Sequence, residues 1–140
     1  MIAESEIGER LLALSDNGYD VLVGGALFDG YADHPRKLVK LNDRLWSTAA
    51  GRYQILERYY DHYKKQLGLP DFSPESQDKI ALQLIKECKA LDDIDEGRFY
   101  LALKKCASRW ASLPGAGYGQ RENNAKKLAA AFVKAGGTIA

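Results

Sequence analysis

The chain has 140 residues, 46% of them hydrophobic and 28% charged, and its 20 basic and 19 acidic side chains leave a formal net charge of +1. That length supports one domain spanning 1–140 with a core that needs no staples, and the composition is that of a folded rather than a disordered chain. A near-neutral balance argues against nucleic acid as a partner, and no apolar run approaches the roughly 18–20 residues that a membrane insertion requires.

In chain order, Ile2, Ala3, Ile7, Leu11, Leu12 and Leu14 form an apolar stripe dense enough for a short helix, interrupted at Gly8. It starts abruptly at Met1, which leaves room for turns missing ahead of it. The acidic opening Met1-Ile2-Ala3-Glu4-Ser5-Glu6 lacks the apolar length of a secretory signal, so synthesis in a cytosol is expected. Ser15-Asp16-Asn17-Gly18 is a turn cluster that stops the helix.

From Tyr19 to about Arg44 the pattern changes. Val21-Leu22-Val23 before Gly24-Gly25 fits a strand meeting a bend, His34-Pro35 forces extension at His34, and Leu38–Leu41 reads as a second short strand. Residues 19–46 are thus expected to form a small β lobe. Helical periodicity returns with Ile55, Leu56, Tyr59, Tyr60 and Tyr63, and Gly68 is placed as a C-terminal cap. Ser73-Pro74-Glu75 is a helix start, followed by an apolar face of Ile80, Ala81, Leu84, Ile85, Cys88 and Leu91. Phe99, Ala102, Leu103, Cys106 and Trp110 make another face, and Ala125, Leu128, Ala129, Phe132 and Val133 a last helix closed by Gly136-Gly137.

Cys88 and Cys106 sit at helical spacing among apolar residues, where thiols act as small hydrophobes; an incidental disulfide or a reactive thiol is the alternative. Two histidines, His34 and His62, make a zinc site a poor expectation, and no metal or cofactor is expected. No elbow motif supports a Ser-His-Asp triad.

Three stretches are too rich in glycine, aromatic and polar residues for core packing alone: Tyr19 to Lys37, Ser47 to Gln54, and Trp110 to Gln120. Rings beside amides and hydroxyls suit a sugar, whose C–H face stacks while its hydroxyls need hydrogen bonds. Loops of this kind serve many ligands.

The strings Gly18-Tyr19-Asp20-Val21-Leu22-Val23-Gly24-Gly25, Tyr31-Ala32-Asp33-His34-Pro35-Arg36-Lys37-Leu38-Val39, Ser47 to Gln54, and Trp110-Ala111-Ser112-Leu113-Pro114-Gly115-Ala116-Gly117-Tyr118-Gly119-Gln120, in that order, resemble the phage lambda endolysin family of lytic transglycosylases. The likeness runs through nearly the whole chain. It implies an α+β, lysozyme-like fold in which a mainly helical lobe and a small β lobe flank a cleft. It also implies cleavage of the β-1,4 link between N-acetylmuramic acid and N-acetylglucosamine in peptidoglycan, leaving a 1,6-anhydro end. The partner is then the glycan strand, met by a monomer. The protein would wait in the host cytoplasm until a membrane pore admits it to the periplasmic wall.

The resemblance puts the catalytic acid at Glu6, in a Ser-Glu string here followed by Ile7-Gly8. Glu4 and Glu9 are the neighbours to weigh against it. Glu6 shares a helix face with Ile2 and Ala3, Glu4 falls on the opposite side, and Glu9 follows the break at Gly8. Taken alone, Glu6 is an ordinary solvated helix glutamate. Tyr53 and Gln54 match a cleft-lining string, against a helix cap or core aromatic. Tyr118 and Gln120 fall on a glycine-rich lip, Phe28 and Tyr31 are placed at sugar subsites, and His34 with Arg36 and Lys37 is expected on an opposing lip. A muramidase that uses water on the same bond, with Asp16, Asp20 or Asp29 as second carboxylate, is the alternative within enzymes. An inactive wall-binding module is the alternative outside them.

Overall fold

The elements of the computed structural model, which describes residues 1–115 and 123–140, follow the punctuation of the sequence closely. Helices α1 (Ile2–Glu6) and α2 (Glu9–Leu14) flank a break at Gly8, whose φ of 91° lies in the region that favours glycine. Then come strands β1 (Val39–Asn42) and β2 (Leu45–Ser47), and helices α3 (Glu57–Leu67), α4 (Pro74–Glu87), α5 (Leu91–Asp95), α6 (Phe99–Cys106) and α7 (Ala125–Lys134). The class is α+β, as expected. The chain divides into two compact units: Ile7–Ala81, and Met1–Glu6 together with Leu82–Ala140.

In the Ile7–Ala81 unit, β1 and β2 form an antiparallel hairpin with Val39 opposite Ser47 and Lys40 opposite Trp46. The register slips between Lys40 and Asn42, and the Asn42 side chain caps the turn by accepting from the Arg44 N–H at 2.9 Å. The expected strand at Val21–Val23 is reduced to single bridges, Val21 to Leu27 and Leu22 to Ala50. Two glycines in left-handed geometry, Gly24 and Gly25, turn the chain away before a ladder can extend. Val21, Leu22, Ala50, Ile55, Tyr60 and Phe72 are buried in this unit. Gly68 caps α3 in the left-handed conformation, its N–H donating to the Lys64 carbonyl. Ser73 starts α4, its hydroxyl accepting from the Ser76 N–H.

The His34 ring lies within that aromatic core, 4.9 Å from Phe72 and 5.7 Å from Tyr60 between centroids. Only 2% of it is exposed. Its Nδ1 accepts the Arg36 N–H at 2.9 Å, so Nε2 carries the proton that it donates to the Ile55 carbonyl at 2.8 Å. Burial also lowers its pKa and favours this neutral form. The expectation of a substrate-facing lip at His34 is therefore corrected: the ring has almost no surface to offer, and it pins the 34–36 turn to Ile55, the bridge partner of Ala50. Arg36 is held as firmly, its guanidinium donating to Asp33, Glu57 and Asp61.

In the other unit, Phe99, Ala102, Leu103, Cys106, Trp110, Leu113 and Leu128 are buried. The rings of Phe99 and Phe132 lie 4.9 Å apart, tying α6 to α7. Leu91, read from its spacing as part of the α4 face, instead opens α5, because α4 ends at Glu87 and Lys89 takes a left-handed conformation with φ of 58°. Trp110 likewise lies beyond the end of α6, in the turn that carries Ser112.

Candidate active site

Glu6 is the last residue of α1, and its position follows from two local facts. The helix ends there because Gly8 takes a backbone conformation that a helix cannot continue. The preceding Ala3 and Ser5 are buried, which draws the end of the helix into the interior. Glu6 is itself half-buried.

Its carboxylate is met by a residue 106 positions away. The Ser112 hydroxyl donates to Glu6 Oε1 at 2.8 Å. Behind it, the Ser5 and Ser112 hydroxyl oxygens are 2.7 Å apart, and Asn123 Nδ2 donates to the Ser5 carbonyl at 2.9 Å and to Ser5 Oγ at 3.2 Å. Each hydroxyl has one proton to give. With Ser112 donating to Glu6, Ser5 must donate to Ser112, so the chain runs in one direction from Asn123 through both serines to the carboxylate. Asn123 is placed by its own backbone, whose N–H donates to the Ser112 carbonyl at 2.8 Å. All four residues belong to the same compact unit.

Two opposed influences set the acidity of Glu6. Loss of hydration raises its pKa and is the larger; the hydroxyl and N–H of Ser112 lower it. The balance leaves the carboxyl at about 7, against an ordinary value of 4.5. Such a group is populated in both protonation states near neutrality, and so can give a proton to a leaving oxygen and then take one back. None of Ser5, Ser112 and Asn123 was singled out from the sequence as a partner of Glu6. The one signal was the small hydroxyl in the otherwise apolar Trp110-Ala111-Ser112-Leu113.

The other candidates that lie in described residues fall in the Ile7–Ala81 unit. Tyr53 and Tyr19 both donate to Asp78 Oδ1, at 2.7 and 2.9 Å, and the Arg52 guanidinium lies over both rings, 6.0 and 5.4 Å from their centroids. Gln54 has a positive φ of 51°, and its amide donates to the carbonyls of Gly51 at 2.9 Å and Val21 at 3.2 Å. Its N–H groups are thus committed to the turn. Tyr31 donates to Asp16 at 2.5 Å and stands edge-on to Phe28, with centroids 6.1 Å apart. These rings are half-buried, leaving surface for stacking. Tyr118 and Gln120 lie outside the described residues. Among the described residues, no group of three or more His, Cys, Asp or Glu side chains is placed to hold a metal ion.

A carboxyl held near neutrality on an α+β scaffold, as Glu6 is among the described residues, is the kind of group that acid–base enzymes of the lysozyme-like class use. The chain belongs to the endolysin family, whose model matches residues 1–139. It is 61% identical to the endolysin of Escherichia phage lambda over 124 residues, 89% of this chain and 78% of that one. It is 48% identical to the endolysin of Escherichia phage P2 over 150 residues, covering all of this chain and 91% of that one. Among solved structures, the bacteriophage lambda lysozyme complexed with a chitohexasaccharide superposes with a TM-score of 0.95 at 56% identity, over 99% of this chain and 91% of that one. Another structure of the lambda lysozyme gives 0.89 at 55% identity with the same coverage. The fold is thus lysozyme-like, and the chain is a wall-lytic enzyme that cleaves glycosidic bonds.

Proposed function

We propose that this endolysin is a peptidoglycan lytic transglycosylase with Glu6 as its single acid and base. The observation that carries the reading is the Glu6 carboxyl held at about 7 and directed by Ser112. Protonated Glu6 gives its hydrogen to the oxygen that joins C1 of N-acetylmuramic acid to C4 of N-acetylglucosamine. The C1–O bond breaks as the leaving sugar becomes neutral, and the anomeric carbon becomes oxocarbenium-like. The 6-hydroxyl of the same muramic residue then attacks C1, and its proton passes to the Glu6 carboxylate. A 1,6-anhydro ring forms, and the enzyme is returned to its starting state.

Sugar binding is assigned to Phe28, Tyr31 and Tyr53, with Gln54 shaping the turn that presents Tyr53. Tyr118 and Gln120 are proposed to contact the glycan from the glycine-rich stretch. The chitohexasaccharide bound by the lambda lysozyme is a β-1,4-linked amino-sugar chain, which supports a glycan strand as the ligand here. The site of action is the periplasmic wall, reached from the host cytoplasm through a membrane pore. No helix among the described residues is long and apolar enough to cross a membrane.

Mass spectrometry of exhaustively digested peptidoglycan tests the reaction. Transglycosylation yields muropeptides ending in anhydromuramic acid, each one water lighter than its reducing counterpart. Reducing ends alone would assign the protein to the muramidases instead.

Ser112→Ala tests the positioning of the acid. Losing the hydroxyl removes an influence that lowers the Glu6 pKa, so the alkaline limb of the pH–activity profile moves upward. The variant also loses about 1–2 kcal/mol of stability, because Ser5 keeps a buried hydroxyl with no acceptor at Ser112. Ser112→Thr, which keeps the donor, restores the parental pH profile. An unmoved limb in Ser112→Ala would show that the hydroxyl serves packing only.

A further inference from the structure

The Cys88 and Cys106 thiols are neighbours where the segment leaving α4 meets the end of α6. Neighbouring pairs on either side fix this alignment. Arg109 pairs with Glu87 at 3.3 Å, and Lys105 Nζ donates to the Lys89 carbonyl at 3.2 Å. Lys105 is anchored in turn by Asp93, a 3% exposed carboxylate that accepts its ammonium at 2.5 Å and the Arg98 guanidinium at 2.7 Å. The residue pairs 87 with 109, 88 with 106 and 89 with 105 therefore form consecutive cross-links of one seam, and the middle one consists of two sulfurs.

The geometry points to Cys88 and Cys106 as a disulfide site, open in a reducing compartment and closed by thiol–disulfide exchange in an oxidising one. Cys88 is half-buried and Cys106 is 4% exposed, so the oxidant must enter at Cys88. The Cys88 thiolate attacks one sulfur of an oxidising disulfide, whose S–S bond breaks and releases one thiol. Cys106 then loses its proton and attacks Cys88 Sγ, breaking the mixed disulfide and releasing the second thiol. Two protein thiols lose two hydrogens, and the oxidant gains them as two thiols. Burial and its neighbour push the Cys106 thiol up to about 12, which keeps it inert until Cys88 is activated. The bond would fasten the end of α4 to the end of α6, six residues before the Ser112 turn. It requires no assignment of the catalytic acid.

Purified, reduced protein is incubated with oxidised glutathione, then alkylated and digested without reductant. The expected result is loss of both alkylatable thiols, a cross-linked peptide joining Cys88 to Cys106, and a Tm higher by about 5–10 °C. Addition of dithiothreitol reverses all three changes. Cys88→Ser forms no cross-link and shows no oxidation-dependent Tm shift, while its reduced-state Tm stays near that of the parent. A stable glutathione adduct on Cys88 with Cys106 still free would overturn the assignment, as would a covalent dimer or two thiols that remain reduced.

Discussion

Glu6→Gln gives a folded protein that no longer degrades peptidoglycan and is more stable than its parent above neutral pH. Activity is lost because the amide has no acidic proton for the leaving oxygen. General acid–base catalysis is typically worth 10²–10⁴-fold, and in the proposed mechanism one group carries both halves of it. The stability gain follows from linkage. In the folded chain Glu6 releases its proton near 7, while free glutamate does so near 4.5. Between those values the folded state holds more protons than the unfolded state, so stability falls as pH rises through the window. By pH 8 the cost reaches up to about 3 kcal/mol, the price of keeping a carboxylate poorly hydrated. Glutamine retains the acceptor for Ser112 and carries no charge, so the variant lacks this decline. Denaturant unfolding of both proteins at pH 4 and pH 8 should show near-equal stability at the lower value and a gap at the higher one. In the parent, turnover falls as pH rises through about 7. Lysis by the variant at the parental rate would remove Glu6 from the mechanism.

Gly51→Ala is expected to destabilise the Ile7–Ala81 unit by about 3 kcal/mol or more, through two effects that act together. Gly51 has φ of 82°, where a side chain is strained. A methyl group there would also stand 2.2 Å from Gln77 Oε1 and 3.1 Å from Phe72. Gln77 cannot give way cheaply. It is fully buried, and its amide donates to the carbonyls of Tyr19 at 3.1 Å and Phe72 at 2.9 Å, while Oε1 accepts the Arg52 N–H at 3.0 Å. Moving it leaves buried polar groups unpaired. The same shift displaces the turn carrying Arg52, Tyr53 and Gln54, so residual activity should show weakened binding of glycan as well as reduced stability. Thermal unfolding with circular dichroism measures the first and oligosaccharide titration the second. A loss below about 1 kcal/mol would mean that the Gln77 pocket is far more pliable than its hydrogen bonds imply.

Much of the secondary structure was legible because it depends on local rules. The break at Gly8, the left-handed cap at Gly68, the Ser73-Pro74 start and the final helix each follow from the conformational limits of a few adjacent residues. The misreadings arose where those rules compete. Leu91 fits the α4 stripe by spacing, yet the left-handed Lys89 ends that run and starts another helix. Val21–Val23 has the composition of a strand, but flanking glycines leave it with bridges only. His34 has the sequence context of an exposed turn, and its burial depends on Tyr60 and Phe72, which lie 26 and 38 positions further along.

The sequence by itself determined where several helices start and stop, at Gly8, Gly68 and Ser73, and, through the order of its long motifs, the α+β class, the family and the glutamate to suspect. A carboxyl's acidity is not a property of its neighbours in the chain, because hydration and hydrogen bonding depend on what is brought near it. Only the tertiary structure decided that Glu6 meets Ser112, that Ser5 and Asn123 direct that hydroxyl, and that the acid is held near neutrality.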